Sequence, residues 1–270
     1  MSSESAITDQ EFSLLQRLLY KLSGINLSEN KKVLLVGRLQ KRLREHGFDT
    51  YTQYYRLLSS GENPGEVQTM VDLMTTNETY FFREAKHFDF LRDEVLRKRP
   101  GNEPFRIWSA ASSTGEEAFT MAMVLADAIP RQSWEVVGTD ISTQVVEKAR
   151  RAHYPLDRNE GIPPGFLTKY CLKGVRAQAG TFLINGALRE RVHFHHANLT
   201  HPLPAELGMF DVIFLRNVMI YFDQETKRKV VGHLVQHLKR GGYFIIGHSE
   251  TLNGIENGLS MLRPTIYLKN

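Results

Sequence analysis

The 270 residues, 41% hydrophobic and 24% charged, have the composition of an ordinary globular chain long enough for one large domain or two. No apolar run approaches the roughly 18 residues that span a bilayer. The opening Met-Ser-Ser-Glu-Ser lacks the basic and apolar regions of a secretory signal, so a cytoplasmic protein without membrane insertion is expected. A lone cysteine, Cys171, excludes an internal disulfide, and a net charge of +4 is small enough that its distribution matters more than its total.

The first third of the chain reads as helices. Thr8 and Glu11 form a capping-box pattern, and Phe12, Leu15, Leu19 and Leu22 follow at helical spacing until Gly24 stops the run. A second helix is predicted over 29–45, burying Leu35, Leu39 and Leu43. It carries Lys31, Lys32, Arg38, Lys41, Arg42 and Arg44 with no acid among them. At about 100° per residue, Lys31, Arg38, Lys41 and Arg42 share a face turned away from the leucines. Two short helices are expected at 51–58 and 66–75, separated by the breaker Gly61-Glu-Asn-Pro-Gly65. Polar Asn77, Thr79 and Arg83 then stand among Tyr80, Phe81 and Phe82, and a helix over 85–99 closes at Pro100-Gly101.

From Phe105 onwards strands alternate with helices, the pattern of a parallel α/β sheet. Strands are predicted at 105–109, 135–139, 191–196, 210–215, 242–247 and 264–269. Between Tyr154 and Arg191 the alternation lapses, and Thr181-Phe-Leu-Ile184 before Asn185-Gly186 marks an inserted piece containing a small β-hairpin.

The most telling stretch is Arg106-Ile-Trp-Ser-Ala-Ala-Ser-Ser-Thr-Gly-Glu-Glu117, a strand that breaks into small residues and then starts a helix. About one βαβ unit later, Val136-Val-Gly-Thr-Asp140 is a strand ending on an acid. Small side chains admit the backbone close to a nucleoside, and the acid suits ribose hydroxyls. The pyrophosphate version of the motif has three glycines. Here Gly115 stands alone and is followed by Glu116 and Glu117, which would repel a phosphate but accept hydrogen bonds from an ammonium. A nucleoside with a positive charge and no phosphate is S-adenosylmethionine, and the chain reads as a methyltransferase.

Four motifs in order and register carry a resemblance. They are Thr75-Thr-Asn-Glu-Thr-Tyr-Phe-Phe-Arg-Glu84, Trp108-Ser-Ala-Ala-Ser-Ser-Thr-Gly-Glu-Glu117, Arg216-Asn-Val-Met-Ile-Tyr-Phe222 and Gly247-His-Ser-Glu250. Together they resemble the chemotaxis receptor methyltransferases, the CheR family. The resemblance implies a class I, Rossmann-like methyltransferase sheet with a small N-terminal helical domain and an inserted β-subdomain. The expected limits are 1–84 for the helical domain, 85–101 for a linker helix and 102–270 for the methyltransferase domain, with the insert at about 172–190. It also implies methyl transfer from S-adenosylmethionine to glutamate side chains of membrane chemoreceptors, releasing S-adenosylhomocysteine.

Carried over position by position, the resemblance places Asn77, Thr79 and Arg83 against the cofactor, with Glu117 at its methionine end and Asp140 at the ribose. Asn198 and Leu199 would flank the adenine, and Arg216 and Asn217 would contact the cofactor from the end of strand 210–215. Arg83 and Tyr221 match the pair given a role at the methyl-transfer site, and Arg38, Lys41 and Arg42 would dock Glu-rich receptor helices. The insert has Gly174-Val-Arg176 where members that bind a receptor tail peptide tend to carry Gly-x-Gly, which places tail docking in question.

Other classes are weaker. Methylation of exocyclic amines usually needs Asn/Asp-Pro-Pro-Tyr/Phe after the fourth strand, where this chain has Arg216-Asn-Val-Met, so no nucleic-acid substrate is expected. A non-catalytic module, or a second regulatory partner on the helical domain, is the other alternative, and a monomer is expected. His193, His195 and His196 lack an acid or cysteine at ligand spacing, so no metal is expected. The run His248, Ser249, Glu250 does not follow a hydrolase triad order.

Overall fold

The computed structural model describes residues 7–99, 103–255 and 257–270. The chain divides into two compact units, Met1–Thr76 with Tyr221–Thr226, and Asn77–Ile220 with Lys227–Asn270.

The first unit is helical. Helix α1 (Asp9–Ser23) starts on the Thr8–Glu11 capping box and ends on Gly24, whose φ of 74° suits glycine. It is followed by α2 (Lys32–His46), α3 (Tyr51–Ser59) and α4 (Pro64–Met74). Leu15 and Leu19 of α1 and Leu35, Leu39 and Leu43 of α2 are buried, as their spacing requires. The core also holds a charged cluster. Arg42 donates through Nε to Glu66 Oε1 at 2.9 Å and through a second nitrogen to Oε2, while Tyr54 donates to Oε1 at 2.7 Å. Burial works against the Glu66 carboxylate, but Arg42, Tyr54 and His46 outweigh it and bring its pKa from 4.5 to about 2. A depressed folded-state value gives stability that is present above pH 4.5 and lost as pH falls through about 2. The helical unit should therefore lose about 2–3 kcal/mol across that window. Far-ultraviolet dichroism against pH checks this, since Glu66→Gln should flatten the profile; an equally steep profile in that variant would refute it.

The second unit opens with α5 (Lys86–Phe90), which widens into a π-type turn over Leu91–Leu96. It then alternates β1 (Phe105–Ala110), α6 (Glu116–Ala128), β2 (Trp134–Asp140) and α7 (Thr143–Arg151). The insert follows as β3 (His153–Pro155), α8 (Pro164–Tyr170), β4 (Cys171–Lys173), β5 (Thr181–Ile184) and α9 (Gly186–Arg189). The chain ends with β6 (Val192–His196), β7 (Phe210–Leu215), α10 (Gln224–Gln236), β8 (Leu238–Ile246), β9 (Leu259–Arg263) and β10 (Ile266–Lys269).

Seven strands form one sheet in the order β6-β2-β1-β7-β8-β10-β9, parallel from β6 to β8 and antiparallel beyond. This is a class I methyltransferase sheet. The strand order reverses direction at β1, and the crevice beyond the carboxyl ends of β1 and its neighbours is where such sheets take ligands. The central strand β7 is apolar and covered on both faces, with Val212 to Leu215 fully buried.

The structure revises several expectations. The insert is a three-stranded antiparallel sheet, β3-β5-β4, which begins at His153 and not near 172, because β3 pairs with β5. Strand β9 is missing from the sequence reading because its residues are exposed and do not alternate, Met261 and Leu262 included. The first unit ends at Thr76, not at 84. Residues 77–84 belong to the second unit because Phe81 is fully buried there, its ring 5.1 Å from Tyr154 and 5.8 Å from Phe182.

Candidate active site

The loop after β1 is built for close approach. Ala111 and Ser113 adopt left-handed φ values of 66° and 49°, and Gly115 has φ 96°. A Cβ on Gly115 would press at 3.0 Å on Ala149, Phe194 and the Tyr154 hydroxyl, so the turn admits only glycine. Asp140 receives Ser113 N–H on one carboxylate oxygen and Ser142 N–H on the other, both at 2.9 Å. The acid therefore ties the β1 loop to the end of β2. Gly138 is needed two residues earlier in β2, since a Cβ there would fall 2.5 Å from the Phe194 ring.

Glu116 and Glu117 divide at the start of α6. Glu116 is buried, and burial raises its pKa against the opposing effects of Thr114 and Arg158. Glu117 is the partly open acid, taking Ser109 Oγ at 2.7 Å and Arg216 Nη1 at 2.8 Å.

Segment 77–84 lies across this loop. Ser113 Oγ donates to Asn77 O at 3.0 Å, Arg158 Nη1 to Thr79 O at 2.9 Å, and Thr120 Oγ1 receives Phe82 N–H at 3.1 Å. Phe82 and Glu84 flank Arg83 with φ values of 57° and 56°, so the segment is held in a conformation that side chains disfavour. Arg83 itself donates to Glu78 O at 2.9 Å and lies 5.7 Å from the Tyr80 ring. Among the described residues it has no acidic partner.

Arg216 is the opposite case. Its side chain is 1% exposed and bridges Glu84 at 2.9 Å and Glu117 at 2.8 Å. It also donates to the Arg83 carbonyl. Asn217, at φ 57°, donates to Glu84 Oε1 at 3.2 Å, and its own N–H reaches Glu250 at 2.8 Å. Glu250 also takes the N–H groups of Met219 and Gly247, each at 2.8 Å, and so fixes the loop after β7. Burial raises the Glu250 pKa despite those three donors.

Glu84, His87 and His248 have the composition of a metal site. Burial and the nearby Arg216 push the His87 pKa down to about 3, so its ring is neutral. The shared carboxylate oxygen, Glu84 Oε2, already takes Arg216 at 2.9 Å and His248 N–H at 3.1 Å. The guanidinium thus brings the positive charge that a cation would supply.

Asn198 forms a turn in which its Oδ1 accepts Thr200 N–H at 3.0 Å, and buried Leu199 accepts His233 at its carbonyl at 3.0 Å. Tyr221 belongs to the first unit, where its carbonyl accepts Asn26 N–H at 2.9 Å. The basic helix face also resolves differently from its wheel. Arg38 donates to the carbonyls of Met74 at 2.8 Å and Thr75 at 3.0 Å, satisfying the end of α4, and Arg42 is committed to Glu66. Lys41 alone of the three reaches freely outward, its side chain 80% exposed with Glu45 at 3.7 Å. Sequence reasoning passed over Glu84 and Arg158 as individual groups and weighed Glu250 only as a member of the run His248, Ser249, Glu250. Glu84 and Glu250 close two of the four motifs, and Glu250 stands at turn spacing from Gly247.

Comparison with known proteins decides the family. A model described as CheR methyltransferase, SAM binding domain, matches residues 77–268, and another, CheR methyltransferase, all-alpha domain, matches residues 10–75. The chain belongs to the CheR methyltransferase family. It is 38% identical to the chemotaxis protein methyltransferase of Escherichia coli (strain K12), over 99% of this chain and 93% of that one. It is equally 38% identical to the Borreliella burgdorferi protein of the same name, over 98% and 95% of the two chains. Chemotaxis protein methyltransferase 2 of Pseudomonas aeruginosa is 37% identical over 98% and 95%. The family boundary between 75 and 77 coincides with the division between the two compact units.

The residues fit S-adenosylmethionine. Carboxylates at 117 and 140 suit its ammonium and ribose, and the acidic start of α6 disfavours a phosphate. Ser112 Oγ and Arg216 Nε are buried without hydrogen-bond partners among the described residues, so both keep unused hydrogen-bonding capacity.

Proposed function

We propose that this chain transfers methyl groups from S-adenosylmethionine to glutamate side chains on the cytoplasmic helices of membrane chemoreceptors, leaving glutamyl methyl esters. The observation that carries the reading is the contrast between two arginines. Arg216 is neutralised by two carboxylates, whereas Arg83, on the segment beside the cofactor loop, has no acid to hold among the described residues. A guanidinium of that kind is suited to position an incoming carboxylate through its planar fork.

When bound, S-adenosylmethionine supplies an electrophilic methyl carbon on a sulfonium, with a neutral thioether as leaving group. The acceptor glutamate, with an unperturbed pKa of about 4.3, is already ionised at neutral pH, so the chain needs no general base. Its residues position and exclude water. Glu117 receives the ammonium and Asp140 the ribose, with Asn77, Thr79, Asn198, Leu199 and Asn217 forming walls. Arg216 acts through Glu117 and the Arg83 backbone. Arg83 must orient the acceptor without neutralising it, because a tight pair is a poorer nucleophile. For Tyr221, which lies in the first unit, the family resemblance implies an orienting role by hydrogen bond. Docking of acidic receptor helices rests on Lys41, with exposed Arg44 also on α2 and exposed Lys31 just before it, and should weaken with salt. The protein is read as a cytoplasmic monomer, with the helical unit open to a second, regulatory protein.

Transfer of labelled methyl from S-adenosylmethionine into receptor-containing membranes tests this. Base-labile label on receptor protein is expected, falling at least about 100-fold with Arg83→Ala. Base-stable label, or full transfer by the variant, would overturn the reading.

A further inference from the structure

Glu84 is the point at which the Arg83 segment and the cofactor acids meet. Its Oε2 accepts Arg216 Nη2 at 2.9 Å and His248 N–H at 3.1 Å, and its Oε1 accepts Asn217 Nδ2 at 3.2 Å. Arg216 continues to Glu117 at 2.8 Å, and Ser109 closes the other side of Glu117 at 2.7 Å. The arginine side chain is 1% exposed and the two acids are 13% exposed each, so the three charges interact with little screening by water.

We propose that Glu84 is a positioning residue for the cofactor, acting on Glu117 through Arg216. The assignment rests on the reading that Glu117 receives the cofactor's ammonium. One guanidinium between two carboxylates leaves the triad with a net negative charge, which is what a cationic ligand requires. Without the Glu84 charge, Arg216 would have Glu117 as its only acid and would neutralise it. Burial disfavours ionised Glu84, but Arg216 outweighs this and lowers its pKa, so the charge is present at neutral pH. The same carboxylate anchors the left-handed turn at Glu84, and Arg216 grips the carbonyl of Arg83. The cofactor acid and the acceptor-holding arginine are therefore set by one group.

Calorimetric titration of S-adenosylmethionine into the full chain and into Glu84→Gln, Glu117→Gln and the double variant tests the link. Glu84→Gln should weaken binding about tenfold, and the double variant should bind within about threefold of Glu117→Gln alone, because both act on one relay. A merely structural Glu84 would give additive losses. Glu84→Asp, which keeps the charge on a shorter stem, should recover part of the affinity. Should Glu84→Gln fail to fold by circular dichroism, the Asp variant carries the test, with a threefold or greater loss expected at roughly the same scale. Wild-type affinity in the folded Glu84 variants, or additive losses, overturns the assignment while the cofactor reading stands. Failure of the unsubstituted chain to bind overturns both.

Discussion

Arg216→Ala is expected to destabilise the second unit by about 3–5 kcal/mol, the range for removing one partner from a buried ionic group. The loss would come less from the missing attraction than from Glu84 and Glu117, left facing each other in a poorly solvated site. The backbone would suffer too, since the Arg83 carbonyl loses its donor. The measurement is clean because the chain has two tryptophans, Trp108 and Trp134, and both lie in the second unit. Their fluorescence in a denaturant titration therefore follows that unit alone. A midpoint equal to that of the unsubstituted chain would sink the argument that this triad is structurally coupled.

The second large effect is expected at a residue with no chemistry. A Cβ on Gly161 would overlap the carbonyl oxygen of Phe81, which is backbone and cannot swing aside. Gly161→Ala must therefore push segment 77–84 away from the cofactor loop, although Gly161 itself touches no proposed ligand. Affinity for S-adenosylmethionine should fall at least about tenfold, because displacing a positioned binding group by even ~1 Å is costly. Gly165→Ala is the control, since nothing lies within 4 Å of its added Cβ and the site is helical. It should be neutral or stabilising by about 0.4–1 kcal/mol. Equal affinities for the two variants would show that the Gly161–Phe81 contact does not hold the segment.

The periodic parts of the molecule were legible in the sequence. Leucine spacing gave the helices of the first unit, and the cap at Thr8 and stop at Gly24 stand where local chemistry demands. The loop at 111–115 and Asp140 were legible because small residues and a strand-end acid are themselves the device. What escaped was decided by topology. The pairing of Glu84 with Arg216 depends on β7 lying beside β1, which no local pattern states. A helical wheel correctly turned Arg38 and Arg42 away from the leucines. It could not show that long guanidinium side chains would bend back to the end of α4 and to Glu66. Residues 77–84 looked like a tail of the helices because their aromatic residues have no period. Burial of Phe81 against Tyr154 and Phe182 assigns them to the second unit.

Residues 221–226 group with the N-terminal helices although they follow β7 in the chain. Asn26 donates to the Tyr221 carbonyl at 2.9 Å and the Tyr20 hydroxyl to Asp223 at 2.8 Å, so this short piece is stitched into α1 and the turn after it. The polypeptide consequently crosses between the units at 76, 220 and 226. Anyone exchanging the helical module between family members, or expressing it alone as residues 1–76, would leave one of its own pieces behind. A working graft should carry the hexapeptide from Tyr221 to Thr226 with it, because the compact helical unit is discontinuous along the chain.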